Sequence, residues 1–268
     1  MIPKKIHYCW LSGDEIPPVL QKCMITWKEV MPDYELVLWD QKRFDVNSVD
    51  FVREAVSVKK WAFATDYIRL YALFTEGGIY LDMDVIVKKR FDSFLGNDFF
   101  SAIESFLIRK NEENKVYVYD NGSVIQRIIG ISLQAAIFGA IPEHSFLKDC
   151  LEWYKDKHFI LPDNSFADNV IAPDIYATIA QKYGFRYKNE EQNLTNNMKI
   201  YPSSVIGSTV WNFNKDCFAI HCCRGSWLPP KSFLRKLIVN NNFLRKLFNR
   251  ELYVKDEYEF VQNSPIWK

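Results

Sequence analysis

The chain has 268 residues, of which 48% are hydrophobic and 16% aromatic, enough to bury one sizeable core near the upper size for a single core. Thirty-four Lys and Arg stand against 33 Asp and Glu, a formal charge of +1 that implies no general attraction to nucleic acid. No run of 18 apolar residues occurs, which excludes a membrane-spanning helix, and no signal peptide is recognisable.

Short strands alternate with helical stretches, the pattern of an α/β layer architecture. Residues 6–11 read as a first strand. Pro17-Pro18 opens a helix carrying Leu20, Cys23, Met24 and Trp27, which Pro32 ends. Residues 34–39 predict a second strand and 51–58 a second helix. Residues 61–76 predict a third helix with an apolar surface that includes Phe63, Ile68, Leu70 and Leu73, and Gly77-Gly78 supplies a left-handed stop. A strand then runs through Ile79, Tyr80 and Leu81 and continues as Val85, Ile86 and Val87. Residues 99–103 and 133–138 are further strand candidates. Between them the polar stretch 105–122 reads as an acceptor-side loop or hairpin, or as a plain surface insertion. Residues 144–154 and 171–183 look helical, and 218–221 closes the core.

Six cysteines (Cys9, Cys23, Cys150, Cys217, Cys222 and Cys223) show no C-x-x-C spacing. The adjacent Cys222 and Cys223 suit neither an unstrained disulfide nor a clean zinc pair, so reduced and mostly buried thiols are expected.

The chemistry concentrates at Gly77-Gly78-Ile79-Tyr80-Leu81-Asp82-Met83-Asp84-Val85, behind Asp66-Tyr67-Ile68-Arg69. In an extended segment residues i and i+2 share a face about 7 Å apart, so Asp82 and Asp84 project together while Met83 turns away. Two like charges among apolar flanks repel and are hard to keep ionised unless a cation joins them. Oxygen ligands favour Mn²⁺ or Mg²⁺, which keep positions for water and substrate phosphates. Asp66 and Arg69, three apart on one helix face, form either a surface ion pair or a second element of the same site.

The run from Trp61 through Arg69 to Val85 resembles the sugar-binding D-x-D region of glycosyltransferase family 32. That family joins capsular polysaccharide glycosyltransferases to Golgi mannosyltransferases, and the run is more distantly similar to the glucosylating toxins. The opening Ile2-Pro3-Lys4-Lys5-Ile6-His7-Tyr8-Cys9-Trp10 and the late His221-Cys222-Cys223-Arg224-Gly225-Ser226-Trp227 agree with it. The resemblance implies a GT-A fold, Rossmann-like, a nucleotide-sugar donor with UDP-sugars favoured, Mn²⁺ or Mg²⁺, and transfer with retention. By position it implies Asp66, Arg69 and Asp82 as donor-sugar contacts, Asp84 and Asp82 as metal ligands, and His221 as a third ligand or diphosphate contact. His7 and Trp10 fall on the donor side, Trp10 by the base, and Arg224, Ser226 and Trp227 at the diphosphate. Gln134, where relatives often carry Asn, is a possible stabiliser in same-side attack. Cys222 replaces a second His of many relatives, and Ala172-Pro173 a Gly-Pro turn.

Residues 1–227 are therefore expected to form the catalytic domain, with 228–268 a tail packed on it. From residue 224 to 255 eight basic residues stand against Glu251 alone, and Phe233-Leu234-Arg235-Lys236-Leu237 recurs as Phe243-Leu244-Arg245-Lys246-Leu247. Basic helices with an apolar stripe suit an anionic membrane surface, or else simply pack on the domain. A glycan or lipid-linked acceptor in bacterial surface polysaccharide synthesis, on the cytoplasmic side of the inner membrane, is the expected setting. A nucleotide-sugar hydrolase, another metal-dependent phosphoester enzyme, and a silent sugar-binding module are the alternatives.

Overall fold

The computed structural model describes residues 1–105, 113–118, 123–207, 213–223 and 257–264. Its centre is an eight-stranded sheet built from β1 (Lys5–Cys9), β2 (Glu35–Trp39), β3 (Gly78–Leu81), β5 (Phe99–Ser105), β8 (Ile131–Leu133), β9 (Ile137–Ala140), β10 (Gln192–Leu194) and β11 (Met198–Tyr201). The spatial order is β10-β11-β5-β9-β3-β1-β2, with β8 pairing separately with β5. Strands β2, β1, β3, β5 and β11 run in one direction, with β9 inserted in reverse between β3 and β5. This is the mixed α/β architecture that the alternation of strands and helices predicts.

Helices α1 (Pro18–Val30), α2 (Asp50–Ser57), α3 (Trp61–Glu76), α4 (Ser145–Tyr154) and α5 (Ala172–Ala180) cover the sheet. Their boundaries fall within a few residues of the sequence expectation. One large apolar cluster joins α2, α3, α4 and α5 to one side of the sheet, and a second joins α1 to the other. Helix α6 (Glu257–Gln262) touches α1 through Lys22 and Glu259, 2.8 Å apart.

The chain leaves α3 through Gly77 and Gly78, at φ of +62° and +115°. A Cβ on Gly78 would lie 2.9 Å from the Lys5 carbonyl and 3.0 Å from His7 Nε2, so both backbone shape and space require glycine there. Two strand expectations are corrected. The segment after Leu81 does not continue straight: Met83 and Asp84 make a turn, and β4 (Val85–Val87) joins β12 (Ile206–Gly207) and β13 (Ala219–His221) in a separate three-stranded sheet. So residues 219–221 close this small sheet and not the main one. The candidate strand 133–138 is two strands, broken at 134–136, where the Gln134 N–H is captured by the Ala102 carbonyl at 2.8 Å. Part of the polar insertion is the hairpin of β6 (Lys115–Val118) and β7 (Val124–Arg127). The basic tail of residues 224–255 lies outside the described residues.

Candidate active site

Strand β3 delivers Asp82 at the carboxyl end of the sheet, the end where open α/β sheets bind ligands. The Asp82 N–H bonds the Ala136 carbonyl at 2.9 Å, and the Val85 N–H closes the turn on the Asp82 carbonyl at 3.0 Å. Helix α1 anchors the strand beyond the turn: the Trp27 indole donates to the Val85 carbonyl at 2.7 Å, and the Val87 N–H donates to Thr26 Oγ1 at 3.0 Å. On the other edge of β4, His221 pairs with Val85, and the Cys222 N–H bonds the Asp84 carbonyl at 3.0 Å. Register alone therefore sets His221 beside the acidic turn.

His221 Nε2 lies 3.2 Å from Asp84 Oδ1 and 3.9 Å from Asp82 Oδ2. One ligand atom from each of Asp82, Asp84 and His221 falls within 4.8 Å of the others. Neighbouring ligands around an octahedral Mg²⁺ stand about 3 Å apart, so these two carboxylates and one imidazole fit a small divalent cation with positions left for phosphate oxygens. The turn between the aspartates replaces the extended i, i+2 geometry, yet the two carboxylates still converge. In the metal-free protein burial opposes charge on His221, but Cys223 and Asp84 outweigh it and raise its pKa well above the ordinary histidine value.

The Asp66–Arg69 pair is not a surface ion pair. Arg69 is 5% exposed, and its Nη2 lies 3.1 Å from Asp66 Oδ1 and 3.5 Å from Asp82 Oδ1. Its Nη1 donates to the Ala135 carbonyl at 2.8 Å, and Nε to the Thr65 carbonyl at 3.2 Å. The guanidinium stands 4.9 Å from the Tyr80 ring centre, and Tyr80 Oη donates to Asp82 Oδ1 at 2.8 Å. Arg69 thus spends its fork inside the protein, holding Asp66, Asp82 and the 134–136 break in register. That makes it a positioning residue for Asp66, Asp82 and the 134–136 break. Burial lifts the Asp66 carboxyl to about 7, against the pull of Arg69.

His7 is also placed differently from the expectation. It is fully buried, its Nε2 bonded to the Gly77 carbonyl at 2.8 Å and its Nδ1 accepting from the Trp39 indole at 2.9 Å. Burial pushes its pKa down to about 4, so it is a neutral structural link between β1, β2 and the glycine exit, not a donor contact. Trp10 follows β1 at the same sheet end as Asp82, half-buried, its indole nitrogen donating to the Asp14 carbonyl at 2.7 Å. Gln134 is 1% exposed; its Oε1 accepts from the Ala136 N–H at 3.2 Å while Nε2 has no partner among the described residues. Arg224, Ser226 and Trp227 lie outside the described residues.

Three groups escape a reading of the sequence. Tyr80 looks like plain core there, although its i, i+2 spacing to Asp82 is an available signal. Glu104 and Ser132 are buried cross-strand partners on β5 and β8, and Glu104 Oε2 and Ser132 Oγ have no partner among the described residues. A lone carboxylate ending the apolar run Phe99–Ser105 is the hint for Glu104. Burial raises that carboxyl to about 7, and His221 works against the rise.

Residues 17–101 match the family model described as a glycosyltransferase sugar-binding region containing DXD motif, so Trp10, Glu104, Gln134 and His221 lie beyond the matched part. The chain is 25% identical over 251 residues to an uncharacterized glycosyltransferase of Acanthamoeba polyphaga mimivirus, covering 91% of this chain and 90% of that protein. It is 32% identical over 98 residues to inositol phosphoceramide mannosyltransferase 3 of Schizosaccharomyces pombe, covering 35% of this chain and 27% of that protein. Among solved structures, the PaToxG glycosyltransferase aligns with a TM-score of 0.46 at 16% identity, over 68% of this chain and 69% of that one. The acidic turn and its positioning arginine fall within the matched region, and over that region the chain is similar to glycosyltransferases that carry the DXD motif.

Proposed function

We propose that the protein is a retaining, metal-dependent transferase that moves a hexose from a nucleotide sugar, a UDP-sugar first, to a glycan or lipid-linked saccharide in surface polysaccharide synthesis. The observation that carries this reading is the convergence of Asp82, Asp84 and His221 within 4.8 Å at the carboxyl end of β3. A divalent cation held there would supply the positive charge that a departing nucleoside diphosphate needs. The protein's own groups do the rest. Arg69 and Tyr80 fix Asp82, and Trp10 offers a ring face near the base. Retention follows from same-side attack assisted by the leaving phosphate, with Gln134 at its edge. The basic stretch 224–255 would hold the enzyme against an anionic membrane on the cytoplasmic side, within reach of a lipid-linked acceptor.

Calorimetry with UDP-glucose, UDP-galactose, UDP-N-acetylglucosamine and GDP-mannose, with and without Mn²⁺, tests the donor and the metal. One donor should bind at least about tenfold more tightly with Mn²⁺, and Asp84→Asn should abolish that gain and cut turnover by about 10²-fold or more. Affinity indifferent to chelator and to Asp84→Asn would end the proposal. Product anomeric configuration read by NMR decides retention, and flotation with anionic liposomes decides the membrane contact.

A further inference from the structure

His221 has two faces. Its Nε2 looks to the acidic turn, while its Nδ1 lies 3.3 Å from Cys223 Sγ. One ligand atom from each of Glu104, His221 and Cys223 falls within 4.8 Å of the others, a grouping separate from the carboxylate set except for the shared histidine. We propose that Glu104, His221 and Cys223 form a second cation site, selective for Zn²⁺, beside the Mn²⁺ or Mg²⁺ site.

Three observations meet here. The donor set is one oxygen, one nitrogen and one sulfur, and thiolate with imidazole favours Zn²⁺ over the oxygen-seeking Mg²⁺ and Mn²⁺. With Zn–S of about 2.3 Å and Zn–N of about 2.0–2.1 Å, tetrahedral ligands stand about 3.5 Å apart, and the sulfur and nitrogen are already near that separation. Glu104 is 5% exposed, and its Oε2 has no hydrogen-bond partner among the described residues. A buried carboxylate oxygen left unpaired is costly, and a cation would relieve it.

Local backbone supports the same grouping. Cys222 and Cys223 diverge: Cys222 is buried in the small apolar cluster with Cys23 and Ile86, whereas Cys223 is exposed at φ +49°. The left-handed turn returns its sulfur to the histidine two residues earlier, a conformation that costs a non-glycine residue free energy and that tends to occur at functional positions. Three protein ligands leave a fourth position for water. Zinc seated there would compete for His221 and weaken the neighbouring cation site. Only this effect on turnover rests on the glycosyl-transfer reading; the zinc site rests on the geometry of Glu104, His221 and Cys223.

The test uses the full chain, reduced and metal-free, titrated with Co²⁺ as a spectroscopic probe and then with Zn²⁺. The native protein should give a sulfur-to-cobalt charge-transfer band that Zn²⁺ removes. Cys223→Ser should abolish the band and weaken Zn²⁺ binding by at least about tenfold in calorimetry, and Glu104→Gln should weaken it about as much. Circular dichroism checks that both variants fold; Cys223, being exposed, accepts serine at no packing cost. Asp84→Asn should keep the band while losing Mn²⁺ affinity, which separates failure of this site from failure of the carboxylate site. Absence of the band in the native chain, or a band unchanged in Cys223→Ser, overturns the proposal.

Discussion

Cys223 and Asp84 favour the protonated form of His221, whereas a metal ligand must be bare. Because Cys223 and Asp84 raise its pKa well above the ordinary value, a cation has to displace that proton in neutral solution. Mn²⁺ affinity should therefore climb with pH from about 6 to about 8, by up to about tenfold per unit for one released proton. Calorimetry in two buffers of different ionisation enthalpy would show the release, and a pH-independent affinity would remove His221 from the ligand set. Tyr80 makes a separate prediction. Its hydroxyl is the bond that holds Asp82 Oδ1, so Tyr80→Phe should cost about 1 kcal/mol in denaturant unfolding and weaken Mn²⁺ binding, with the fold intact. Unchanged Mn²⁺ affinity would show that Asp82 needs no such tether. Asp82 and Asp84 are legible in the sequence because carboxylates two apart after an apolar strand have few structural uses. Glu104 and Ser132 are not, because their pairing joins residues distant in sequence and nothing local marks it.

Elements bring those residues together, and the exit from α3 shows how narrowly. Gly77 turns the chain, Gly78 passes against β1, and His7 caps the crossing through the Gly77 carbonyl. Gly78→Ala would place a methyl 2.9 Å from the Lys5 carbonyl at positive φ, so a loss of more than about 2 kcal/mol is expected. Urea unfolding measures it, and a loss below about 0.5 kcal/mol would mean that the crossing yields easily. The helices are legible because a proline starts α1, a glycine stops α3 and apolar periodicity runs through α1, α2 and α3. Two features stay hidden for physical reasons. The apolar run 133–138 has no turn-forming residue, so hydrophobicity alone cannot reveal that the backbone breaks at 134–136 to bond β5. Strand β10, with Gln192 and Asn193, carries no apolar alternation to mark it, because backbone pairing to β11 at the sheet edge holds it.

Across the whole molecule, buried ionisable groups pull stability in opposite directions, and the balance is itself a measurement of the site. The unfolded Asp66 carboxyl loses its proton near 3.8, while the folded one keeps it to about 7 because burial disfavours the anion. Glu104 behaves alike, from 4.5 to about 7. Between those values the folded state holds more protons than the unfolded one, so raising pH favours unfolding. His7 acts with the other sign: burial lowers it from 6.5 to about 4, and between those values the folded state holds fewer protons. Around pH 5–6 the active-site carboxyls and the structural histidine therefore oppose one another. Asp66→Asn removes one side of this balance. Plotted as variant minus native, unfolding free energy of the metal-free protein should rise by up to about 1.4 kcal/mol per pH unit between about pH 4 and 7 and level off above. Denaturant unfolding at a series of pH values gives that difference directly. A flat difference would mean that Asp66 is ionised throughout, held by Arg69 as a charged pair, and that the site reaches neutral pH with one more negative charge than the burial of Asp66 dictates.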